Sequence, residues 1–421
     1  MEKIYETLIH DLESNLIMAL GCTEPIAIAL TAAKAREVLG TMPERMVLTL
    51  SGNIIKNARS VTVPNSGGMK GIEAAASLGV IGGKPEKQLE VLADIKEEQW
   101  DRAKEFQKNI QLKLGENCPD VYVEALAISG KEKALVKLAH EHNNICHIEK
   151  NGEILCSENL EASKDFENPD CSIRDIYQFV EEIDLKKHPH IIELLDRQMK
   201  CNREIAHRGM EENYGANVGK TILSYQDPTD VKVLAKAYAA AGSDARMGGC
   251  PLPVVINSGS GNQGVTVSVP VMVYGEMAGV DKDKLYRALL LSNLLAIHQK
   301  KFIGKLSAFC GVVSAAASSG AAIGYLMDFD FDQIAQIITT TIATTGGMVC
   351  DGAKASCATK ISMAVENAIL ATEMVRRGNT LESGDGIVDV DVDHTIYNIG
   401  RMAKKGMKST DREILEIMID A

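Results

Sequence analysis

Hydrophobic positions along this chain switch between helical and extended spacing, and the switches mark its organisation. Ile4, Leu8, Leu12, Leu16 and Ile17 recur at helical spacing, which predicts a first helix over 3–19 ended by Gly21. In Gly21-Cys22-Thr23-Glu24-Pro25, a proline in the first turn signals a second helix start, because its missing N–H has no intrahelical partner there. From Arg45 the period shortens. Met46 to Ser51 and Ser60 to Pro64 read as strands, and the turn Asn65-Ser66-Gly67-Gly68 leads into a helix over 72–78. Residues 98–113 read as a charged amphipathic helix. Segments starting at Val121, Lys133 and Asn144 alternate, and Asn151-Gly152 is a hairpin turn into Glu153-Ile-Leu-Cys156, so an antiparallel sheet is expected. Residues 157–171, with Pro169, are polar and read as a linker. Beyond it helical patterns dominate: 173–184, 189–208, 229–241, 283–298, 307–327, 331–343 and 354–377. Asp389, Asp391 and Asp393 alternate with valines as in a strand edge and lack the spacing of a calcium loop.

The pattern predicts an α+β fold. An α+β domain over 1–170 carries a mixed or antiparallel sheet, and a mainly helical domain over 171–421 surrounds the candidate site; residues 1–44 are expected to pack with the helical part, which would make the sheet an insertion. Composition narrows the function. A net charge of -12 without a cluster of Lys and Arg argues against nucleic acid or an anionic membrane as partner, and 4% aromatic residues are too few for a base-stacking surface. The polar, amphipathic opening is no signal peptide, and the stretch 308–327, rich in Ser, Gly and Cys, reads as a buried helix rather than a membrane span. A cytoplasmic protein with mostly reduced cysteines is expected.

Candidate chemistry gathers between Phe302 and Lys360, where Cys310, Cys350 and Cys357 lie among Ala, Gly, Ser and Thr. Thiols in such a setting serve a metal or redox chemistry, or are small buried hydrophobes; no C-x-x-C spacing decides between these. Cys22 at a helix start has its thiolate favoured by the free N–H groups and dipole, or it merely caps and packs. His140, His142, Cys146 and His147 lie in the sheet region, where strand alternation sends Cys146 and His147 to opposite faces and argues against a metal. Ser258-Gly259-Ser260-Gly261-Asn262-Gln263-Gly264 contains G-x-G-x-x-G after a strand-like run. The following Val-Thr-Val-Ser-Val-Pro run is too β-branched to open a clear helix, so a glycine-rich loop near a substrate or cofactor is favoured over a dinucleotide site.

Four segments together carry a resemblance: Gly21-Cys22-Thr23-Glu24-Pro25; Ser51-Gly52-Asn53-Ile54-Ile55-Lys56-Asn57; the 258–264 loop; and Cys350-Asp351-Gly352-Ala353-Lys354. The chain resembles the L-cysteine desulfidase family, related to the iron–sulfur L-serine dehydratases, from Leu8 to about Asn379. The resemblance implies a [4Fe–4S] cluster held by Cys310, Cys350 and Cys357 with one iron open, and Cys22 as catalytic proton acceptor. Spacing alone leaves Cys22 and Cys357 as rivals for the third ligand; Cys357 is preferred because the dehydratase relatives place their ligands in the C-terminal helical part. The remaining cysteines are read as structural. The implied reaction is degradation of L-cysteine to sulfide, ammonia and pyruvate. Alternatives are an iron–sulfur dehydratase of L-serine or another β-substituted amino acid, and a non-catalytic iron–sulfur redox sensor. Thr23, Asn53, the cradle Asn65-Ser66-Gly67-Gly68, Ser258, Gly259, Asn262 and Lys354 are the expected substrate contacts. No pyridoxal phosphate lysine motif is evident, and the expected partners are an amino acid and, as an assembly, a homodimer.

Overall fold

The computed structural model describes residues 2–158, 171–304 and 306–420, so most of the expected linker lies outside the described residues. The chain runs α1 (Glu2–Asn15), β1 (Met18–Leu20), α2 (Thr23–Leu39), β2 (Arg45–Leu50), α3 (Gly52–Ala58), α4 (Gly71–Gly82), α5 (Trp100–Phe106) and β3 (Ile110–Leu114). Four strands follow: β4 (Tyr122–Ser129), β5 (Glu132–Ala139), β6 (Ile145–Lys150) and β7 (Glu153–Ser157). The rest is helical except for one short strand: α6 (Ile173–Glu182), α7 (Pro189–Glu211), α8 (Val218–Tyr225), α9 (Val231–Met247), β8 (Pro253–Val255), α10 (Gly261–Ala278), α11 (Lys282–Ile303), α12 (Gly311–Leu326), α13 (Phe331–Thr345), α14 (Ser356–Arg376), α15 (Val392–Arg401) and α16 (Lys408–Asp420). The fold is α+β.

The sheet has the order β3-β2-β4-β5-β6-β7, antiparallel throughout except for the parallel β2–β3 pair, so it is mixed. Helix α2 is buried along nearly its whole length because it lies on β4 and β5 while α4 packs against it. Asn151 and Gly152, both at positive φ, make the tight β6–β7 turn that their sequence signals. In the helical part α10 and α12 are buried on every side, with α9, α11, α13 and α14 packed around them. Small residues allow the close approach: a Cβ at Gly320 would meet Ala368 of α14 at 2.9 Å. Among the described residues no helix is long and apolar enough to cross a membrane.

Several expectations are corrected. The first helix stops at Asn15, because Met18–Leu20 leaves it to pair antiparallel with β8, Met18 opposite Val255. That pairing ties the start of α2 to the glycine-rich loop after β8. Residues 60–64 form no strand; Thr62 makes one isolated bridge to Lys70, since the chain turns back at once through Asn65–Gly68. The 98–113 segment is half helix and half strand: α5 ends at Phe106, and Ile110–Leu114 pairs with β2. Gly261–Ala278 is a helix despite its β-branched residues and Pro270. It is buried all round, so packing overrides propensity, and Ser260 caps its start. No dinucleotide fold results, since β8 belongs to an antiparallel two-stranded ribbon. Asp391 is not on a strand edge but caps α15, accepting the His394 N–H.

Candidate active site

Two loops of the helical part are stitched together by a bridge between Phe309 and Val349. The Cys310 N–H donates to Met348 O at 3.1 Å and the Cys350 N–H to Ala308 O at 2.7 Å, which brings these two cysteines onto one wall. Cys310 is the residue that caps α12. Cys357 lies in the first turn of α14, its thiol 3.7 Å from Gly352 O. Cys22 caps α2. All four cysteines line a single cavity of about 90 Å³. The N-terminal ends of α2, α10, α12 and α14 therefore converge there, presenting free N–H groups and positive dipole ends. The C-terminal ends of α9 and α11 deliver the cations Arg246 and Lys300 to the same cavity. Such a site is built for anions, thiolates or carboxylates.

Cys22 is buried, and its thiol donates to Glu24 Oε2 at 2.9 Å. Burial pushes the thiol well above its ordinary range and the Glu24 charge pushes it further, while Arg246 pulls it down. Burial and the neighbouring carboxylate thus oppose, in the resting protein, the stabilisation of a thiolate that the helix start offers. Burial would raise Glu24 too, but His142 and the Cys22 hydrogen bond hold it down at about 2. His142 Nε2 stands 3.8 Å from Glu24 Oε1, an ion-pair distance rather than a hydrogen bond, and neither ring nitrogen has a hydrogen-bond partner. Burial lowers Lys300 to about 8, opposed by Cys350, Cys310 and Glu24.

The expected residues divide. Thr23 lines the cavity and its hydroxyl donates to Gly259 O at 2.9 Å, joining α2 to the glycine-rich loop. Gly259 and Asn262 also line it. Gly259 has φ +79°, and a Cβ there would meet the His142 ring at 3.2 Å, so the position requires glycine. Ser258 sits one residue back, its hydroxyl donating to Asn257 Oδ1. The expected cradle is elsewhere. Asn65 donates to Leu92 O and Ala93 O, Ser66 to Met69 O, a Cβ on Gly67 would strike the Trp100 ring, and Gly68 faces open space. That turn is a support, with Pro64 pressed against Gly21. Asn53 turns toward Asp120, and Asn57, one helical turn on, lines the cavity instead. Lys354 is tied to the carboxylate and carbonyl of its neighbour Asp351 and does not reach the cavity lining.

Sequence reading missed Glu24, Arg246 and Lys300 as functional candidates, and weighed His142 only as a metal ligand, which it set aside. Glu24 stands inside a quoted motif and was legible there. The other three are brought in by tertiary packing, and no spacing in the sequence announces them.

The implied cluster can be tested against these residues. Among the described residues no three His, Cys, Asp or Glu side chains stand close enough to hold a single metal ion. A cluster sets a different requirement, because each cysteine binds its own iron and the sulfurs stand apart. Cys310 is pushed up by burial and then by Cys350 and Cys357, so these thiols repel one another as thiolates unless a positive centre lies among them. Soft donors around one cavity, ringed by helix N-termini, fit an iron–sulfur group.

Comparison with known proteins places the chain in a family. The profile of the serine dehydratase alpha chain family matches residues 86–416. A UPF0597 protein of Desulfitobacterium hafniense is 46% identical over 423 residues, covering 100% of this chain and 98% of that protein. A UPF0597 protein of Lachnoclostridium phytofermentans is 47% identical over 99% of this chain and 100% of its own length. One from Finegoldia magna is 44% identical over 97% and 98%. The chain belongs to the serine dehydratase alpha chain family, among its UPF0597 relatives.

Proposed function

We propose that this protein is a carbon–sulfur lyase that cleaves L-cysteine to sulfide, ammonia and pyruvate. The observation that carries the reading is the convergence of Cys22, Cys310, Cys350 and Cys357 on one cavity beside two buried cations. Cys310, Cys350 and Cys357 would hold a [4Fe–4S] cluster. When bound, it supplies an open iron, a Lewis acid suited to a sulfur leaving group. Cys22 takes the α-proton of the substrate. The burial that raises its pKa also makes its thiolate a stronger base, and Glu24 at 2.9 Å, itself held ionised, orients the thiol by accepting its hydrogen bond. Arg246 and the α2 N-terminus stabilise the thiolate once formed. The eliminated aminoacrylate then hydrolyses to pyruvate and ammonia.

The family match favours a second reading, dehydration of L-serine or another β-substituted amino acid, in which hydroxyl rather than sulfide leaves. Anaerobic purification and reconstitution, followed by assays for sulfide, ammonia and pyruvate with L-cysteine and L-serine, separates the two. Sulfide and pyruvate from L-cysteine support the lyase; pyruvate from L-serine with no sulfide from L-cysteine replaces it with the dehydratase. Cys22→Ser is expected to keep the visible absorbance of the cluster and lose most turnover. Loss of absorbance in that variant makes Cys22 a ligand instead.

A further inference from the structure

We propose that Arg246 anchors the α-carboxylate of the substrate and so restricts the site to amino acids over the corresponding amines. The inference rests on the amino-acid elimination reading above and assigns its carboxylate subsite. Arg246 is only 2% exposed and lines the cavity. Its guanidinium is partly used: one terminal nitrogen donates to Gly21 O at 2.6 Å and the other to Asn262 Oδ1. Its Nε has no hydrogen-bond partner. Among the described residues no carboxylate lies within ion-pair distance of it; the nearby Glu24 faces His142 and the Cys22 thiol. The loop makes room for this cation, since a Cβ on Gly261 would collide with the guanidinium.

A buried guanidinium with neutral partners and an unused N–H is costly to keep unless an anion completes it. A carboxylate matches its planar donor geometry. The position suits the reaction as well. Arg246 shares the cavity with Cys22, the proposed base, and with the three proposed ligand cysteines, so a carboxylate held there keeps the α-carbon in the cavity of the base. The cradle expected at Asn65–Gly68 supplies none of this, because its polar groups are spent on Leu92, Ala93 and Met69.

The test uses the full-length reconstituted protein and L-alanine, which has the carboxylate and ammonium but no leaving group. Binding of L-alanine, L-alaninamide and ethylamine is measured by calorimetry on the wild type, Arg246→Lys and Arg246→Gln, with iron content and visible absorbance recorded for each. Wild type should bind L-alanine and discriminate against the amide and the amine. Arg246→Gln should weaken L-alanine binding roughly 10- to 100-fold with iron content unchanged, raise KM for L-cysteine alike, and level the preference for L-cysteine over cysteamine. Arg246→Lys should fall between. Wild type that binds the neutral amide as tightly as L-alanine overturns the proposal, even if the variants do not fold. So does Arg246→Gln with unchanged L-alanine affinity, or with the iron lost, which would assign the charge to the cluster. L-Alanine discrimination without sulfide release from L-cysteine leaves the anchor standing and removes the lyase reading instead.

Discussion

Glu24 carries more than its place in the sequence suggests. It accepts the Cys22 thiol proton through one oxygen and faces His142 across 3.8 Å with the other. Its pKa is held at about 2 against an unfolded value near 4.5, so its contribution to stability is present above about pH 4.5 and is lost as the pH falls toward 2. Glu24→Gln removes that pH dependence. Urea midpoints of wild type and variant should therefore converge between pH 4.5 and 3, the wild type surrendering an amount on the order of 3 kcal/mol across the full range. The same substitution takes away the charged hydrogen-bond partner that orients the Cys22 thiol. Turnover should drop about 100-fold or more at neutral pH, with iron content retained. Parallel urea curves at all these pH values would show that Glu24 is not ionised in the way its partners imply.

At the scale of elements, legibility followed the physics of each segment. Strands β4 and β5 have one face on α2 and the other polar, so alternation announced them, and Asn151-Gly152 announced the turn into the exposed β7. Helix α10 has no polar face because α7, α9, α11 and α12 enclose it, so its β-branched residues misled. Cys22 and Cys350 were legible through motifs, and Cys310 and Cys357 stood out only by their small-residue setting; His142 and Arg246 were not, because only the fold brings the β5–β6 turn and the end of α9 to Gly259 and Gly261. The last helix shows a similar long-range dependence. Asp411 of α16 pairs with Lys56 of α3, whose side chain is 1% exposed, and Leu415 fills the space over Gly52. The Lys56 carbonyl in turn presses on Gly352, between Cys350 and Cys357. Asp411→Ala leaves a buried, unpaired ammonium and should lower unfolding free energy by about 3 kcal/mol. Lys56→Met combined with Asp411→Leu should recover most of that loss, as measured by chemical denaturation, because no charge is then buried alone. A double variant as unstable as Asp411→Ala would mean that α16 acts through packing rather than through this pair.

At the scale of the whole molecule, the site belongs to no single region. Cys22 and Glu24 come from α2 on the sheet, His142 from the β5–β6 turn, and the remaining thiols and cations from the helical part. One contiguous hydrophobic core runs from Leu8 to Ala403 and takes in residues of the sheet, α2, α10, α12 and α15 alike. Two regions with separate cores would unfold separately; a shared core couples them. The chain offers a direct probe, because its single tryptophan, Trp100, lies on the sheet side, packed over Gly67 with its indole N–H donating to Asn65 O at 2.8 Å. Far-ultraviolet circular dichroism is dominated by the helices, most of which lie beyond residue 171. In urea, tryptophan fluorescence and circular dichroism should give coincident transitions with one midpoint. A fluorescence change that precedes the loss of helix would mean that the sheet side detaches first, taking Cys22 and Glu24 from the cavity while Cys310, Cys350 and Cys357 stay in place. The shared core argues against that order: α2 is buried on the sheet along one side, and at its start Thr23 is bonded to Gly259 beside the cavity, so the sheet cannot leave without breaking both contacts.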